Sequence, residues 1–236
     1  MVALGYHGDS FHGSQTQPGI RTVEGSLTRA LERLNWWRPN CLELSSRTDA
    51  GVSVRMNLAR INLPSEVAGP IQRSNLLRAL NDNLPVGMVA WGAKAIPEDM
   101  RIRHSISRHY LYRTELSHDW PRELEEGAFI EACSCLQGQH DFTNLCRLDE
   151  GKNPVRTVDE CIPWMTDEGR IIGISVKSRA FLWNQVRRMA SAISGVASGR
   201  NSIEDIHSAL ERPDIPVDLG RSPSEGLMLW SIENSY

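Results

Sequence analysis

A chain of 236 residues is long enough for one large domain or two small ones, and it can bury a hydrophobic core without disulfides or metal. With 40% hydrophobic and 23% charged residues, its composition is that of a soluble globular protein. No apolar run approaches the roughly 20 residues of a membrane span, and the N-terminus lacks the basic and apolar segments of a secretory signal, so we expect a cytoplasmic protein.

The net charge of -3 does not indicate a general nucleic-acid binder, but the basic residues are unevenly distributed. Residues 101–114 contain four arginines and two histidines, residues 169–203 contain six lysines or arginines, and neither segment contains an acid. Acidic residues are concentrated elsewhere, as in 115–131. The two basic segments suggest a local anionic ligand, although charges that alternate by chance along solvated faces give the same pattern. Charge alone leaves both interpretations open.

In the first half of the chain, apolar periodicity predicts short strands alternating with helices. We expect helices near 23–34 and 76–80, the first with Thr22 as its N-cap and the second ending at the turn-prone residues 81–85. Alternating apolar residues predict strands, which we place at 2–6, 52–58 and 89–95.

The second half repeats this style. We predict helices at 123–136, 181–198 and 203–210, the longest of them ending at Gly199. The predicted strands are 108–115, a hairpin of 158–165 with 171–176, and 227–232. This order indicates an α+β fold with a mostly antiparallel sheet, and a boundary in the range 97–107 gives two domains of similar size, 1–105 and 106–236. Dinucleotide-binding and P-loop glycine motifs are absent from the sequence.

The five cysteines are odd in number and irregularly spaced, which favours free thiols. A zinc site is the alternative, because four potential ligands lie close together in the sequence: Cys133, Cys135, His140 and Cys146. Structural zinc sites usually separate paired cysteines by two to four residues, and only one residue separates Cys133 from Cys135. We therefore predict ordinary thiols and no metal.

One short loop stands out between two strand-like runs, the segment Ser-Ser-Arg-Thr-Asp-Ala-Gly-Val that includes Arg47 and Asp49. Its glycine, Gly51, permits a tight backbone turn, and an aspartate at a rigid strand end suits a catalytic group. Taken alone, such a loop is more often an Asx-turn in which Asp49 only bonds its own backbone.

The chain resembles the TruA family of tRNA pseudouridine synthases from Leu4 to Ile232, in the family's order. The N-terminal run GYHGDSFHGSQTQPGIRTVEGSL is similar to the family's Y-D-G-x-x-F-x-G-W-Q-x-Q signature, and SRTDAGVSV to its G-R-T-D-A-G-V-H-A. The segments ALNDNLP, RIRHSISRHYLYR, GQHDFTNL, NPVRTV, RAFLWNQVRRM and SEGLMLW follow. Each motif is weak, but the ordered series is specific.

The resemblance implies a two-domain α+β fold with a continuous sheet flanked by helices, a central basic cleft, and a homodimer. It implies an isomerase that makes pseudouridine in the tRNA anticodon stem-loop, at positions 38 to 40, with no cofactor. Asp49 falls on the family's catalytic aspartate, Tyr110 on the tyrosine that stacks on the target base, and Arg187 on the arginine that pairs with the aspartate. Arg47 is expected to hold RNA. The alternative without a functional role is that Tyr110 is a core residue and that Arg187 is a solvated helix residue.

Four positions depart from the family pattern: His7, Ser14, Ser46 and Ser53 stand where the family most often has Asp, Trp, Gly and His. We expect these departures to affect RNA contacts and hence the choice of uridines. A non-catalytic RNA-binding or RNA-chaperone protein on the same fold is the alternative function. A glycosidase is a third, but it needs a second catalytic acid, and only one carboxylate lies in a motif.

Overall fold

The computed structural model of the protein describes residues 1–116 and 124–234. The strands in these residues are β1 Val2–Tyr6, β2 Leu42–Leu44, β3 Ser53–Ile61, β4 Met88–Ala93, β5 Ser107–Tyr112, β6 Gly138–Asp141, β7 Val155–Val158, β8 Glu160–Met165, β9 Ile171–Ser178 and β10 Leu227–Glu233. The α-helices are α1 Val23–Arg33, α2 Ser65–Ala68, α3 Arg73–Asn81, α4 Glu126–Cys135, α5 Gln185–Ala197 and α6 Ile203–Glu211. Short 3-10 helices cover Gly8–Ser10, Thr114–Leu116 and Thr143–Leu145.

The contacts divide the chain into two compact units. Unit 1 contains Met1–Ile106 and the C-terminal segment from Met228 onward, and unit 2 contains Ser107–Leu227. The return of the last strand to unit 1 is a feature that the sequence patterns did not indicate.

Unit 1 is built on a sheet in the strand order β4-β1-β3-β10, with β2 also paired to β3. The pairs of β1 with β3 and β4, and of β2 with β3, are antiparallel, whereas β10 runs parallel to β3. Helix α1 contacts β2, and Leu27 and Leu31 of α1 and Leu4 of β1 are fully buried. The predicted N-cap is confirmed, because the Thr22 hydroxyl accepts a hydrogen bond from Gly25 N at 3.2 Å.

Unit 2 contains the antiparallel strands β5, β9 and β8, with β9 in the middle, and a separate two-stranded ribbon of β6 and β7. Its helices α4 and α5 pack on one another, α4 also contacts β8, and α5 contacts β5. Phe129, Ile174 and Met189 are fully buried in this core. The α+β class with a mostly antiparallel sheet and flanking helices is therefore confirmed.

The longest predicted helix, 181–198, begins four residues later in the structure than in the prediction. The structure starts α5 at Gln185, because Asn184 has a left-handed backbone with φ of 63° that interrupts a helix. Apolar periodicity alone does not reveal this break, since residues 181–183 fit the same stripe. The predicted end is confirmed, because Gly199 has φ of 70°.

Two strand boundaries also differ from the predictions. The strand placed at 108–115 ends at Tyr112 in the structure and is followed by a 3-10 helix. Val158, predicted to open the hairpin, instead ends β7, which pairs with the unpredicted strand β6. The predicted hairpin is confirmed as β8 and β9. The helix predicted at 123–136 is α4, and its predicted first residue lies outside the described residues.

The five cysteines are free thiols, four of them buried. Burial raises the pKa of the Cys146 thiol to about 11, so this group stays protonated at neutral pH. Within residues 1–116 and 124–234, His, Cys, Asp and Glu side chains form no cluster that holds a metal ion. Over the same residues, no helix has the length and apolar character needed to cross a bilayer.

Candidate active site

The four residues selected from the sequence are divided between the two units. Arg47 and Asp49 lie in unit 1, in the loop that joins β2 to β3, whereas Tyr110 on β5 and Arg187 on α5 lie in unit 2. Asp49 is half-buried and Arg47 is exposed.

The loop of residues 45–52, here called the Asp49 loop, is held by hydrogen bonds on both sides of Thr48. The Thr48 backbone N–H donates to Ser14 Oγ at 2.8 Å, and the Thr48 carbonyl accepts from Ser14 N at 3.0 Å. The Thr48 hydroxyl lies 2.8 Å from the Tyr6 hydroxyl at the end of β1. Because Thr48 adjoins Asp49, these bonds fix the backbone from which the candidate catalytic carboxylate projects.

A buried amide anchors the start of the same loop. Asn57 of β3 is fully buried, accepts a hydrogen bond from Ser46 N at 3.1 Å, and donates to the Ser46 carbonyl at 2.8 Å. A side chain that satisfies both polar groups of one loop residue acts as a substitute strand partner. The loop is therefore attached to β3 before it reaches Asp49.

Two glycines allow the chain to pass close to the Asp49 loop. At Gly8, an added Cβ atom would overlap the Gly51 carbonyl oxygen, and at Gly13, with φ of 86°, it would lie 3.2 Å from the Thr48 carbonyl oxygen. Only glycine fits these approaches without moving the backbone. The N-terminal family signature, which contains both glycines, thus packs directly against the Asp49 loop.

These contacts correct our interpretation of the family departures. Ser14 is fully buried and its hydroxyl bonds Thr48, and Ser46 is 7% exposed, so neither side chain forms an RNA-facing surface. The Ser53 hydroxyl accepts from Gly8 N at 3.1 Å and is likewise used inside the protein. Of the four, only His7 is exposed.

Tyr110 lies on β5 opposite Val176 of β9, and only 7% of it is exposed. Its ring meets the ring of Phe181 edge to face, with centroids 5.3 Å apart and planes at 88°. Phe181 belongs to the segment that leads into α5, so this contact fixes the tyrosine against the start of the helix.

Arg187 lies in the first turn of α5 and is partly buried. Its Nε donates to the Ser222 carbonyl at 2.8 Å, and Nη1 donates to Asn184 Oδ1 at 3.2 Å. The left-handed Asn184 is therefore both the residue before the helix and a holder of the guanidinium. These two bonds orient the charge and argue against the interpretation of Arg187 as a freely solvated helix residue.

The basic segments are less available to an anion than their sequences indicate. In 101–114, Arg103 pairs with Glu43 at 3.2 Å, Arg113 pairs with Glu115, and Arg108 is only 9% exposed. Burial lowers the pKa of the Arg108 guanidinium from its ordinary value, and its Nη1 donates to the Arg179 carbonyl. Several positive charges thus serve the fold.

Unit 1 also has an open groove of about 750 Å³ that is lined by residues of β1, β3, β4 and β10. The Arg55 guanidinium in this groove lies 4.6 Å from the ring centroid of Trp230 and 5.9 Å from that of Trp91. Trp91 is 46% exposed and Trp230 is 37% exposed. The tryptophan rings on this face of the sheet are therefore exposed to solvent in the single chain.

Comparison with known proteins identifies the family. A family model described as tRNA pseudouridine synthase matches residues 132–233. A tRNA pseudouridine synthase A from Thermosipho africanus is 31% identical, with 98% of this chain and 97% of the relative covered.

The chain belongs to the tRNA pseudouridine synthase family. A tRNA pseudouridine synthase A from Thermococcus kodakarensis is 32% identical over 98% of this chain and 83% of its own length, and one from Limosilactobacillus fermentum is 28% identical over 100% and 95%. The resemblance inferred from the motifs is confirmed, and so is the assignment of the chain to the isomerases. A solved complex titled Cbf5-Nop10-Gar1 is 12% identical over 83% of this chain and 45% of that chain, with a TM-score of 0.42 that is too low to bear on the family.

The motifs predict no role for three residues that hold candidate site residues within their own units: Ser14 and Asn57 in unit 1, and Asn184 in unit 2. Ser14 is one of the departures from the family pattern, Asn57 lies in none of the matched motifs, and Asn184 lies in the segment RAFLWNQVRRM without an expected role. The available signal was a polar residue within an apolar pattern, as at Asn57 in strand β3, because buried amides need hydrogen-bonding partners.

Proposed function

We propose that this chain isomerises uridine to pseudouridine in the anticodon stem-loop of tRNA, at positions 38 to 40, with Asp49 as the catalytic residue. The observation that carries this proposal is the Asp49 loop, anchored through Ser14, Tyr6 and Asn57 in a chain of this family. The names of the relatives support tRNA as the substrate. The stem-loop positions rest on the family resemblance.

The reaction breaks the N1–C1′ bond, turns the uracil, and joins C5 to C1′. The proton on C5 leaves and N1 gains a proton, so the product is an isomer and no oxidant, reductant or co-substrate is consumed. A carboxylate acts either as a nucleophile or as a base in such a sequence, and both roles need a charged Asp49. A fixed backbone favours either role, because the carboxylate is positioned before the RNA arrives.

The other three residues are proposed to bind the RNA. Tyr110 offers its ring to the uracil, which has left its stack, and Arg187 supplies a positively charged group of the substrate site. The family resemblance supports these roles, and the Phe181 contact of Tyr110 and the two hydrogen bonds of the Arg187 guanidinium fix the positions of both groups. Arg47, exposed on the Asp49 loop, is proposed to contact phosphate.

We also propose that the active form is a homodimer and that it needs no cofactor. The dimer rests on the family resemblance, and the exposed sheet face with Trp91 and Trp230 in unit 1 supports it, because single chains rarely expose such apolar surface. Light scattering during gel filtration tests the dimer, which should have twice the 26.5 kDa mass of one chain. A single-chain mass at micromolar concentration contradicts it.

The proposed reaction is tested by following the proton on C5. A tRNA transcript labelled with tritium at C5 of uridine should release tritium to water when mixed with the enzyme alone. Uracil set free without isomerisation would instead indicate a glycosidase. Tight tRNA binding with no tritium release would overturn the isomerase proposal in favour of an RNA-binding protein.

A further inference from the structure

Trp183 and Arg147 form an exposed pair on unit 2. The Arg147 guanidinium lies 4.0 Å from the centroid of the Trp183 ring, which is stacking distance. Trp183 is 42% exposed and Arg147 is exposed. A large flat aromatic group thus lies at the surface with a flat cation against it.

The backbone holds this pair in place. Arg147 and Trp183 form an isolated antiparallel β-bridge, with the Arg147 N–H donating to the Trp183 carbonyl at 2.8 Å. The buried Gln185 side chain accepts a hydrogen bond from Leu182 N at 2.8 Å and ties the residues before α5 to the helix. The pair is therefore preformed, and a ligand would lose little entropy in ordering it.

The same short segment carries the contacts of both substrate-binding candidates in unit 2. Phe181, two residues before Trp183, packs against Tyr110, and Asn184, the next residue, accepts from Arg187. Trp183 therefore lies between the contact that fixes the tyrosine and the contact that fixes the arginine. A group bound to Trp183 would be a neighbour of whatever Tyr110 and Arg187 bind.

We propose that Trp183 and Arg147 form a stacking platform for a nucleobase next to the target uridine, an inference that rests on the proposed function. When one base leaves its stack, the adjacent bases lose a stacking partner, and aromatic and guanidinium planes are the protein groups that replace it. Stacking accepts any base because every base has a π face, so the platform would tolerate different sequences around the target. The charge of Arg147 adds attraction to the RNA backbone.

The test is a thermodynamic cycle between the protein and the RNA. Anticodon stem-loop RNAs are made with an abasic nucleotide on either side of the target uridine, and their dissociation constants are measured with wild-type protein and Trp183→Leu. Removing the stacked base should weaken wild-type binding about 5- to 100-fold at one flanking position. The same abasic RNA should bind Trp183→Leu less than about twofold more weakly than intact RNA, because the stacking partner is already gone.

Trp183→Phe keeps a ring and should retain most of the coupling, whereas a merely structural role would produce no coupling with the RNA base. The matched control is Trp37→Leu, which removes a tryptophan of 39% exposure from unit 1 and should behave as wild type. A measurement on the wild-type protein covers the case in which Trp183→Leu does not fold. The fluorescent base 2-aminopurine at the flanking position should be quenched on binding.

The platform is overturned if abasic substitution affects wild type and Trp183→Leu equally at both flanking positions, or if 2-aminopurine fluorescence at both is unchanged on binding. With pseudouridine still formed by wild type, either outcome removes the platform and leaves the proposed function intact. If wild type forms no pseudouridine in any tRNA, the proposed function fails instead. The two failures are therefore distinguishable.

Discussion

Asp49 is positioned by its neighbours along the chain. Thr48 is held through its backbone by Ser14 and through its hydroxyl by Tyr6, and Ser46 is held by Asn57. Substitution of Asp49 therefore leaves these backbone contacts in place and removes the carboxylate alone. This separation of support from chemistry makes Asp49 variants informative about mechanism.

Asp49→Ala and Asp49→Asn should reduce turnover to below a few per cent of wild type while tRNA affinity changes little. Both remove the charge that either chemical route needs, and the asparagine variant preserves the size of the side chain. Tritium release measures turnover, and filter binding measures affinity. Asp82→Ala, at an exposed position after α3, is the control. Turnover well above that level in a folded Asp49→Ala variant would contradict the catalytic role.

Tyr110→Phe should retain much more activity than Tyr110→Leu. The phenylalanine keeps the ring for stacking and for the edge contact with Phe181, whereas leucine loses both. Since base stacking contributes roughly 1–3 kcal/mol, the leucine variant should show kcat/KM reduced about 5- to 100-fold relative to the phenylalanine variant. Equal kcat/KM values would speak against a stacking role and would favour the interpretation of Tyr110 as a core residue.

For single residues, the sequence identifies those that belong to motifs. It misses buried residues whose role is to form hydrogen bonds with distant parts of the chain. Asp49, Tyr110 and Arg187 are found because their neighbours match a family pattern. Ser14 and Asn57 are missed because their importance lies in hydrogen bonds to residues 34 and 11 positions away. Such pairings follow from the fold, and periodicity in the sequence carries no information on them.

Among the elements, the turn before α5 determines where the unit 2 candidates lie. The helix begins at Gln185 because Asn184 is left-handed, and this leaves Phe181 and Trp183 on a non-helical segment. If the helix began at residue 181, helical geometry would set the side-chain directions of both residues. Phe181 would then not contact Tyr110, and Trp183 would not contact Arg147, as they do in the structure. The residues wrongly predicted as helical, 181–184, are therefore the ones that contact the unit 2 candidates Tyr110 and Arg187.

The 3-10 helix Gly8–Ser10 lies against the Asp49 loop, and Gly8→Ala tests whether this approach sets the loop geometry. The added methyl group would overlap the Gly51 carbonyl, so the loop must move. Turnover should fall about 10- to 100-fold, because small displacements of a catalytic group are that costly, while tRNA affinity falls much less.

Gly69→Ala, after α2, is the matched control for this element. Gly69 has an ordinary φ of -68°, and the nearest atom to an added Cβ lies 3.9 Å away, so turnover and stability should stay near wild type. Thermal unfolding of both variants separates a displaced loop from general unfolding. Unchanged turnover in folded Gly8→Ala would mean that the loop position is not set by this contact.

For the whole molecule, the class of fold and the order of most elements follow from the sequence. Strands 2–6, 52–58 and 89–95 appear as β1, β3 and β4. In β3 the alternating residues Val54 and Leu58 are buried, as in a sheet with one buried face. In β4 the alternating residues Val89 and Trp91 lie instead on the exposed face. The ribbon of β6 and β7 was missed because its strands are four residues each and mostly polar or exposed. Its pairing depends on residues that adjoin only in the folded chain.

Salt should weaken tRNA binding, although fewer charges are available than the basic segments contain. Arg103 and Arg113 are paired with acids, whereas Arg47 is exposed on the Asp49 loop. Each phosphate contact contributes roughly -0.7 to -0.9 to the slope of log affinity against log salt. Arg47→Gln should therefore reduce the magnitude of the slope by about 1, and Arg113→Gln should leave it unchanged. A flat dependence in wild type would contradict binding through phosphates.

Mapping of the product tests the central claim most directly. Unmodified tRNA transcripts are incubated with the enzyme and no added cofactor, treated with a reagent that leaves a stable adduct on pseudouridine, and read by primer extension. The account predicts stops at positions 38 to 40 of the anticodon stem-loop with wild-type protein and none with Asp49→Ala. Stops only in the D arm, the T arm or ribosomal RNA would contradict the proposed site, and stops that persist with Asp49→Ala would contradict the proposed catalytic residue.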